Sequence, residues 1–260
     1  MNKLDEIVAR TRAEVARRRT QVPLREPAAA DPRRPFIDAL RRQGLSLIAE
    51  HKRRSPSAGL IRPEVALSDV ISAYERGGAA ALSILTEGPS FGGSLEDLGS
   101  AREASTLPIL RKDFIVDPYQ LVESLNWGAD AILLIVAALT PRQMTELHRQ
   151  AAELGLAALV EVHDERELDA AAEAGAQLIG INNRDLTTLE VDTRRTFELL
   201  PRLPPGAMVV AESGLRERAE LDELERAGVD AVLIGEALMR SDDVEAACLA
   251  LTANRPTMSA

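Results

Sequence analysis

From Leu45 onward the chain repeats one pattern: a short apolar run, a polar turn, an amphipathic stretch at helical spacing, and a small-residue stop. The apolar runs are Leu45 to Ala49, Ala79 to Leu85, Leu107 to Leu110, Ala131 to Val136, Ala157 to Val162, Gln177 to Ile181, Met208 to Ala211 and Ala231 to Ile234, which makes eight expected strands. Before four of them stand Gly77-Gly78-Ala79, Gly128-Ala129-Asp130, Ala174-Gly175-Ala176 and Gly228-Val229-Asp230, where glycine supplies a left-handed helix terminus. Asp117-Pro118-Tyr119-Gln120 and Thr140-Pro141-Arg142-Gln143 combine an N-cap, an early proline and a Gln placed for a capping box. Runs that begin about 20 to 35 residues apart with a helix between them must pair in parallel, because a hairpin is too short to hold the helix. Eight such units predict an α/β chain of the (β/α)8 TIM-barrel class over residues 45–254. An N-terminal helical extension, residues 1–44, is expected as a helix from Leu4 to Arg19, a Pro-containing connector from Val22 to Pro35 and a short helix from Phe36 to Arg42. A doubly wound sheet would ordinarily carry a glycine-rich turn after its first strand; here Lys52-Arg53-Arg54-Ser55-Pro56-Ser57 stands there instead.

Barrel chemistry gathers at the C-terminal ends of the strands, so the residues that close each run matter most. Glu50 and Lys52 close the first, Lys112 the third, Glu161 the fifth, Asn182 the sixth, and Glu212 with Ser213 the seventh. Strand side chains alternate, so Glu50 and Lys52 share a face and His51 points to the helix layer. A lone charge at such a position reads equally well as a rim ion pair. Five ionisable groups closing four strands point to catalysis, since a structural barrel fills that layer with aliphatic or small residues. Ser213-Gly214 and Gly235-Glu236 end the last two strands, where a close backbone and a helix start make a phosphate cradle in many barrels. Arg53, Arg54 and Arg184 lie on loops of the same face, free to meet an anion or to stay solvated.

Composition narrows the partners. The 260 residues are 45% hydrophobic and 28% charged but only 3% aromatic, with a net charge of -10. That profile excludes disorder and argues against nucleic acid, which calls for a basic footprint. The expected ligand is a small anion held by local positive charge. No stretch has the length or apolarity of a membrane span or a secretory leader, and the single cysteine, Cys248, fits a reducing compartment; a cytoplasmic monomer or weak homo-oligomer is expected. His51, His148 and His163 are scattered without metal-ligand spacing, and no cofactor motif is present. Among 31 basic residues only Lys3, Lys52 and Lys112 are lysines. Arginine stays protonated, whereas lysine can be tuned to give up a proton; Lys3 reads as chance, and Lys52 and Lys112 both close strands on the same rim, beside carboxylates.

The stretches Glu50-His51-Lys52-Arg53-Arg54-Ser55-Pro56-Ser57, Leu110-Arg111-Lys112-Asp113-Phe114, Val160-Glu161-Val162, Ile181-Asn182-Asn183-Arg184-Asp185-Leu186 and Ala211-Glu212-Ser213-Gly214 resemble the strand-end motifs of indole-3-glycerol-phosphate synthases. His51 and Arg54 depart from the commoner apolar and small residues. The resemblance implies closure of the pyrrole ring of 1-(2-carboxyphenylamino)-1-deoxyribulose 5-phosphate to indole-3-glycerol phosphate, with loss of carbon dioxide and water. It implies Lys112 as the acid toward the developing alkoxide, Lys52 as carboxylate holder and second donor, and Glu50 or Glu161 as base. On the same resemblance, Asn182, Glu212 and Ser213 are expected to bind substrate hydroxyls or to position the lysines. Ser55, Arg184, Gly214, Gly235 and Glu236 are expected to bind substrate, and Phe91, Phe114, Leu133 and Ile234 either to pack on its aromatic ring or to fill the core. Two other readings stand beside this one: a Schiff-base aldolase on a sugar phosphate with Lys112 or Lys52 as the nucleophile, and a non-catalytic barrel scaffold.

Overall fold

The computed structural model describes residues 3–22, 33–55, 59–62 and 64–253. Most of the expected connector, together with Pro56, Ser57 and residue 254, lies outside them. Eight parallel strands close a barrel: β1 (Ser46–His51), β2 (Ala81–Leu85), β3 (Ile109–Lys112), β4 (Ala131–Ile135), β5 (Ala157–Val162), β6 (Leu178–Asn182), β7 (Met208–Glu212) and β8 (Ala231–Ile234). Each lies within two residues of its apolar run. β1 closes the ring by pairing with both β2 and β8, Glu50 opposite Ser83 and Ala49 opposite Ile234. Thr140 and Gln143 form the expected capping box. Gln120 is fully buried and accepts from the backbone N–H groups of Val116 and Asp117. Gly78, Gly128, Gly175 and Gly228 are left-handed, but Gly77 is not; it is small because Cys248 packs against it.

Alternation along the strands sorts apolar side chains into two cores. An outer core between strands and helices holds Leu47, Ala49, Leu82, Ile84, Val160, Val162 and Ile234. An inner core holds Ile48, Leu110, Leu133, Leu159, Val210 and Leu233. The N-terminal segment joins the inner one: Leu4 and Ile7 of α1 (Lys3–Gln21) and Phe36 and Leu40 of α2 (Phe36–Leu40). Arg34 ties the segment before α2 to Asp130 and to the carbonyl of Leu107, both at strand starts, so α2 sits under the base of the barrel. α1 lies at the opposite end, over the mouth.

Candidate active site

A cavity of about 270 Å³ opens at the C-terminal ends of the strands. All sixteen residues expected there border it: Glu50, Lys52, Lys112, Glu161, Asn182, Glu212, Ser213, Ser55, Phe91, Phe114, Leu133, Arg184, Gly214, Ile234, Gly235 and Glu236. The barrel register stacks the ionisable ones in one layer, with Asn182 opposite Glu212 and Glu161 opposite Gly180. Lys112 Nζ stands 3.1 Å from Glu212, 3.6 Å from Glu161 and 3.8 Å from Glu50. Lys52 Nζ is 2.9 Å from Glu50 Oε1, and Asn182 donates to Glu161 Oε1 at 3.0 Å.

Burial sets the energetics of this cluster, and charge partners correct it. Burial would push the Glu50 carboxyl up, yet the Lys52 and Lys112 ammonium groups beside it hold it below the usual carboxylate range. Burial would strip Lys112 of its proton; Glu212, Glu161 and Glu50 together hold it charged, above the ordinary lysine range. Glu212 goes the other way. Its burial, which Lys112 offsets only in part, and the charges of Glu161 and Glu50 raise it to about 7. Apart from the Lys112 contact, neither of its buried oxygens has a hydrogen-bond partner. Three carboxylates around one ammonium do not all ionise freely, and Glu212 is the one that keeps a proton toward neutral pH. His51 faces the helix layer, buried, and burial followed by the neighbouring Arg53 lowers it to about 4, so it stays neutral and apart from the site.

Two glycines make room for these carboxylates. A Cβ on Gly180 would stand 2.2 Å from Glu212 Oε1, and one on Gly235 would stand 2.6 Å from Glu50 Oε1. Gly180 escaped the sequence reading, although a glycine inside a strand is itself a sign of close approach. In an ordinary strand Gly→Ala is neutral to stabilising; here Gly180→Ala is expected to displace Glu212, lowering turnover by about tenfold or more, with the thermal midpoint falling too. Parallel turnover and melting measurements check this, and a variant at wild-type activity would refute the close fit.

The apolar wall comprises Leu85, Leu133, Ile135, Leu233 and a tilted pair, Phe91 and Phe114, with ring centroids 6.5 Å apart. Ile234 touches the cavity, but its side chain belongs to the outer core, and Leu233 holds the inward position of β8. α1 completes the wall with Leu4 and Ile7 and also brings in Lys3, so the third lysine borders the site after all. The helix is fastened there by Arg10, which pairs with Glu87 and donates to Ser90 at 2.8 Å, and by Arg18, which donates to Glu123 at 3.1 Å.

At the ends of β7 and β8, Ser213 and Gly214 are both left-handed, and Gly235, Glu236 and Ala237, at the start of the turn Glu236–Met239, border the cavity. The Glu236 carboxylate is drawn off by Arg240 at 3.1 Å. Arg184 lines the cavity, as does Arg216, which sequence reasoning missed. Arg53 and Arg54 do neither of the things expected of them: Arg53 grips Asp97 through both oxygens at 2.6 and 2.8 Å, and Arg54 donates to the carbonyls of Gly88 and Pro89. Both fix the loop that carries Phe91.

Among the described residues no helix is long and apolar enough to cross a membrane. The profile of the family described as "Indole-3-glycerol phosphate synthase" matches residues 4–251. The chain is 48% identical over 241 residues to "Indole-3-glycerol phosphate synthase 2" of Streptomyces coelicolor, covering 91% of this chain and 93% of that one. It is 49% identical over 254 residues to "Indole-3-glycerol phosphate synthase" of Rhizorhabdus wittichii, covering 95% and 96%. Among solved structures, thiamine phosphate pyrophosphorylase from Pyrococcus furiosus superposes with a TM-score of 0.60 at 19% identity, over 80% of this chain and 93% of that one, a likeness of fold alone. With the family profile spanning almost the whole chain, the chain belongs to the indole-3-glycerol phosphate synthase family.

Proposed function

We propose that this pocket closes the pyrrole ring of 1-(2-carboxyphenylamino)-1-deoxyribulose 5-phosphate, releasing carbon dioxide, water and indole-3-glycerol phosphate, with Lys112 as the acid of the condensation. The observation that carries this reading is Lys112 Nζ held within 4 Å of three buried carboxylates beside an apolar cleft. As the ring carbon attacks the ketone, a proton must reach the forming alkoxide, and an ammonium in that position supplies it. Lys52 holds the substrate carboxylate until it leaves and then protonates the departing hydroxyl. Glu161 is the base of the dehydration: Asn182 orients its Oε1, whereas Glu50 is held below its usual range by Lys52 and Lys112 and makes a weak base. Ser213, Gly214, Gly235 and the turn start at Glu236 receive the phosphate with backbone N–H groups, and Arg184 and Ser55 stand beside it. Phe91, Phe114, Leu133 and Leu233 enclose the anthranilate ring. The reading needs no metal or organic cofactor, because every proton transfer falls to a side chain of the chain itself. The buried, free Cys248 supports a reducing, cytoplasmic setting.

A Schiff-base aldolase needs a neutral amine nucleophile, and Lys112 is held charged by its neighbours. Purified protein given the carboxyphenylamino substrate is expected to yield a fluorescent indole product. With a ketose phosphate and borohydride it is expected to gain no mass. Absence of indole fluorescence at micromolar enzyme, or a lysine adduct, would overturn the assignment.

A further inference from the structure

We propose that His163 is a proton relay that connects the buried carboxylate cluster to solvent through Glu167 and Glu161, and so resets the site on each turnover. It acts through Glu161, without touching substrate, and it rests on the reading of Glu161 as base. His163 directly follows β5, on the loop before the helix Glu165–Glu173. Its Nδ1 is 3.0 Å from Glu167 Oε2 and its Nε2 is 3.4 Å from Glu161 Oε1. Nε2 is buried and has no hydrogen-bond partner, and Glu161 Oε1 is the carboxylate oxygen within reach of it. The backbone N–H of His163 also donates to Glu167 Oε2 at 2.8 Å, so the outer carboxylate is fixed against the ring. Exposure rises outward along the line: the Glu161 side chain is 2% exposed, His163 12% and Glu167 19%. The groups acting on the ring are carboxylates: Glu161 from β5, Glu167 from the following helix, and Glu212 from β7. Burial alone would lower the imidazole, and these groups raise it above its ordinary value, which suits a group that both takes and gives a proton near neutral pH.

The reaction itself demands such a path. The substrate carboxylate leaves as neutral carbon dioxide and the hydroxyl leaves as water. Two protons are therefore delivered, one to the alkoxide and one to the departing hydroxyl, and one is withdrawn as the double bond forms. Each turnover takes up one net proton, while substrate and α1 cover the mouth. On this route Glu167 passes a proton from solvent to Nδ1, Nε2–H passes one to Glu161 Oε1, and Glu161 recharges Lys112 across 3.6 Å. The transfer leaves the ring with its proton on Nδ1; Nδ1 then returns a proton to Glu167 while Nε2, swung out with the ring, takes one from solvent, so that the first tautomer is restored and the net transfer is one proton from solvent to Glu161.

The test is steady-state turnover of His163→Ala and His163→Gln, with Glu161→Gln as reference. Gln keeps a hydrogen-bond donor toward Glu161 but carries no proton across. Both His163 variants are expected to lose about tenfold or more in kcat with KM within about twofold. The kcat of His163→Ala is expected to climb with imidazole concentration at fixed pH and ionic strength. His163→Gln turning over at the wild-type rate would overturn the relay, as would a slow His163→Ala that ignores imidazole, since both describe a mere support for Glu161. If either result accompanies an inactive Glu161→Gln, the relay alone falls. If Glu161→Gln turns over normally, the base assignment falls and takes the relay with it.

Discussion

Lys112→Arg is expected to lower kcat by about a thousandfold or more, within the range that a lost general acid costs, while the protein stays folded. Arginine keeps the positive charge among Glu50, Glu161 and Glu212, so those buried carboxylates are not stranded; Lys112→Ala would strand them, at about 3–5 kcal/mol for breaking a buried pair. What arginine loses is chemistry. Its guanidinium does not release a proton at neutral pH, and its planar fork carries charge farther from the stem than the ammonium does. The substitution therefore separates charge from acidity. Fluorescence of the indole product measures turnover, and a melting curve confirms the fold. Full turnover in Lys112→Arg would show that positive charge alone suffices and that the acid lies elsewhere.

Glu212→Gln is expected to stabilise the chain above neutral pH. Glu212 titrates at about 7 in the folded chain against an ordinary 4.5. Between those values the folded chain holds a proton that the unfolded chain has released. Stability therefore falls as pH rises through this window, by on the order of 3 kcal/mol for this one group. Lys112 adds no slope there, because its shift lies above the ordinary lysine range and it is charged in both states. Gln imitates the protonated form and does not titrate. At pH 8 the variant is expected to melt several degrees above wild type, since about 1 kcal/mol corresponds to roughly 2–4 °C at this size. Near pH 4.5 the two curves are expected to converge. A pH series of thermal midpoints checks the sign, and a Gln variant that melts lower at pH 8 would show that the ionised Glu212–Lys112 pair is a net support.

The barrel and its reactive rim were legible because both are written as position. Eight apolar runs at regular intervals state the strands, and the residue that ends each run states what faces the mouth, since every strand points its C-terminal end the same way. Side-chain phase was harder. Ala231 to Ile234 is apolar throughout, so alternation leaves no mark in the sequence, and Ile234 was read into the wall that Leu233 forms. Where polar and apolar residues alternate, as at Glu50 and His51, the facing was right. Long-range docking left no local trace either. Leu4 and Ile7 are ordinary residues of an amphipathic helix, and Arg10 and Glu87 are 77 positions apart. Lys3 looked incidental for the same reason. Arg53 and Arg54 have motif positions that suggest an anion, yet their partners are the Asp97 carboxylate and three carbonyls, those of Gly88, Pro89 and Gly92. His163 looked scattered because its relation to Glu161 depends on how the chain leaves β5, which composition does not record.

The inner core fills the barrel below the reactive layer, and Phe36 and Leu40 stop its base. The site is in effect a blind cup with a helix across the rim. Among the described residues the barrel is filled below the site, so incoming substrate and outgoing indole product share the opening at the strand ends. The phosphate that anchored the substrate must let go before the next can dock, so product at high concentration competes for the entrance as well as for the seat.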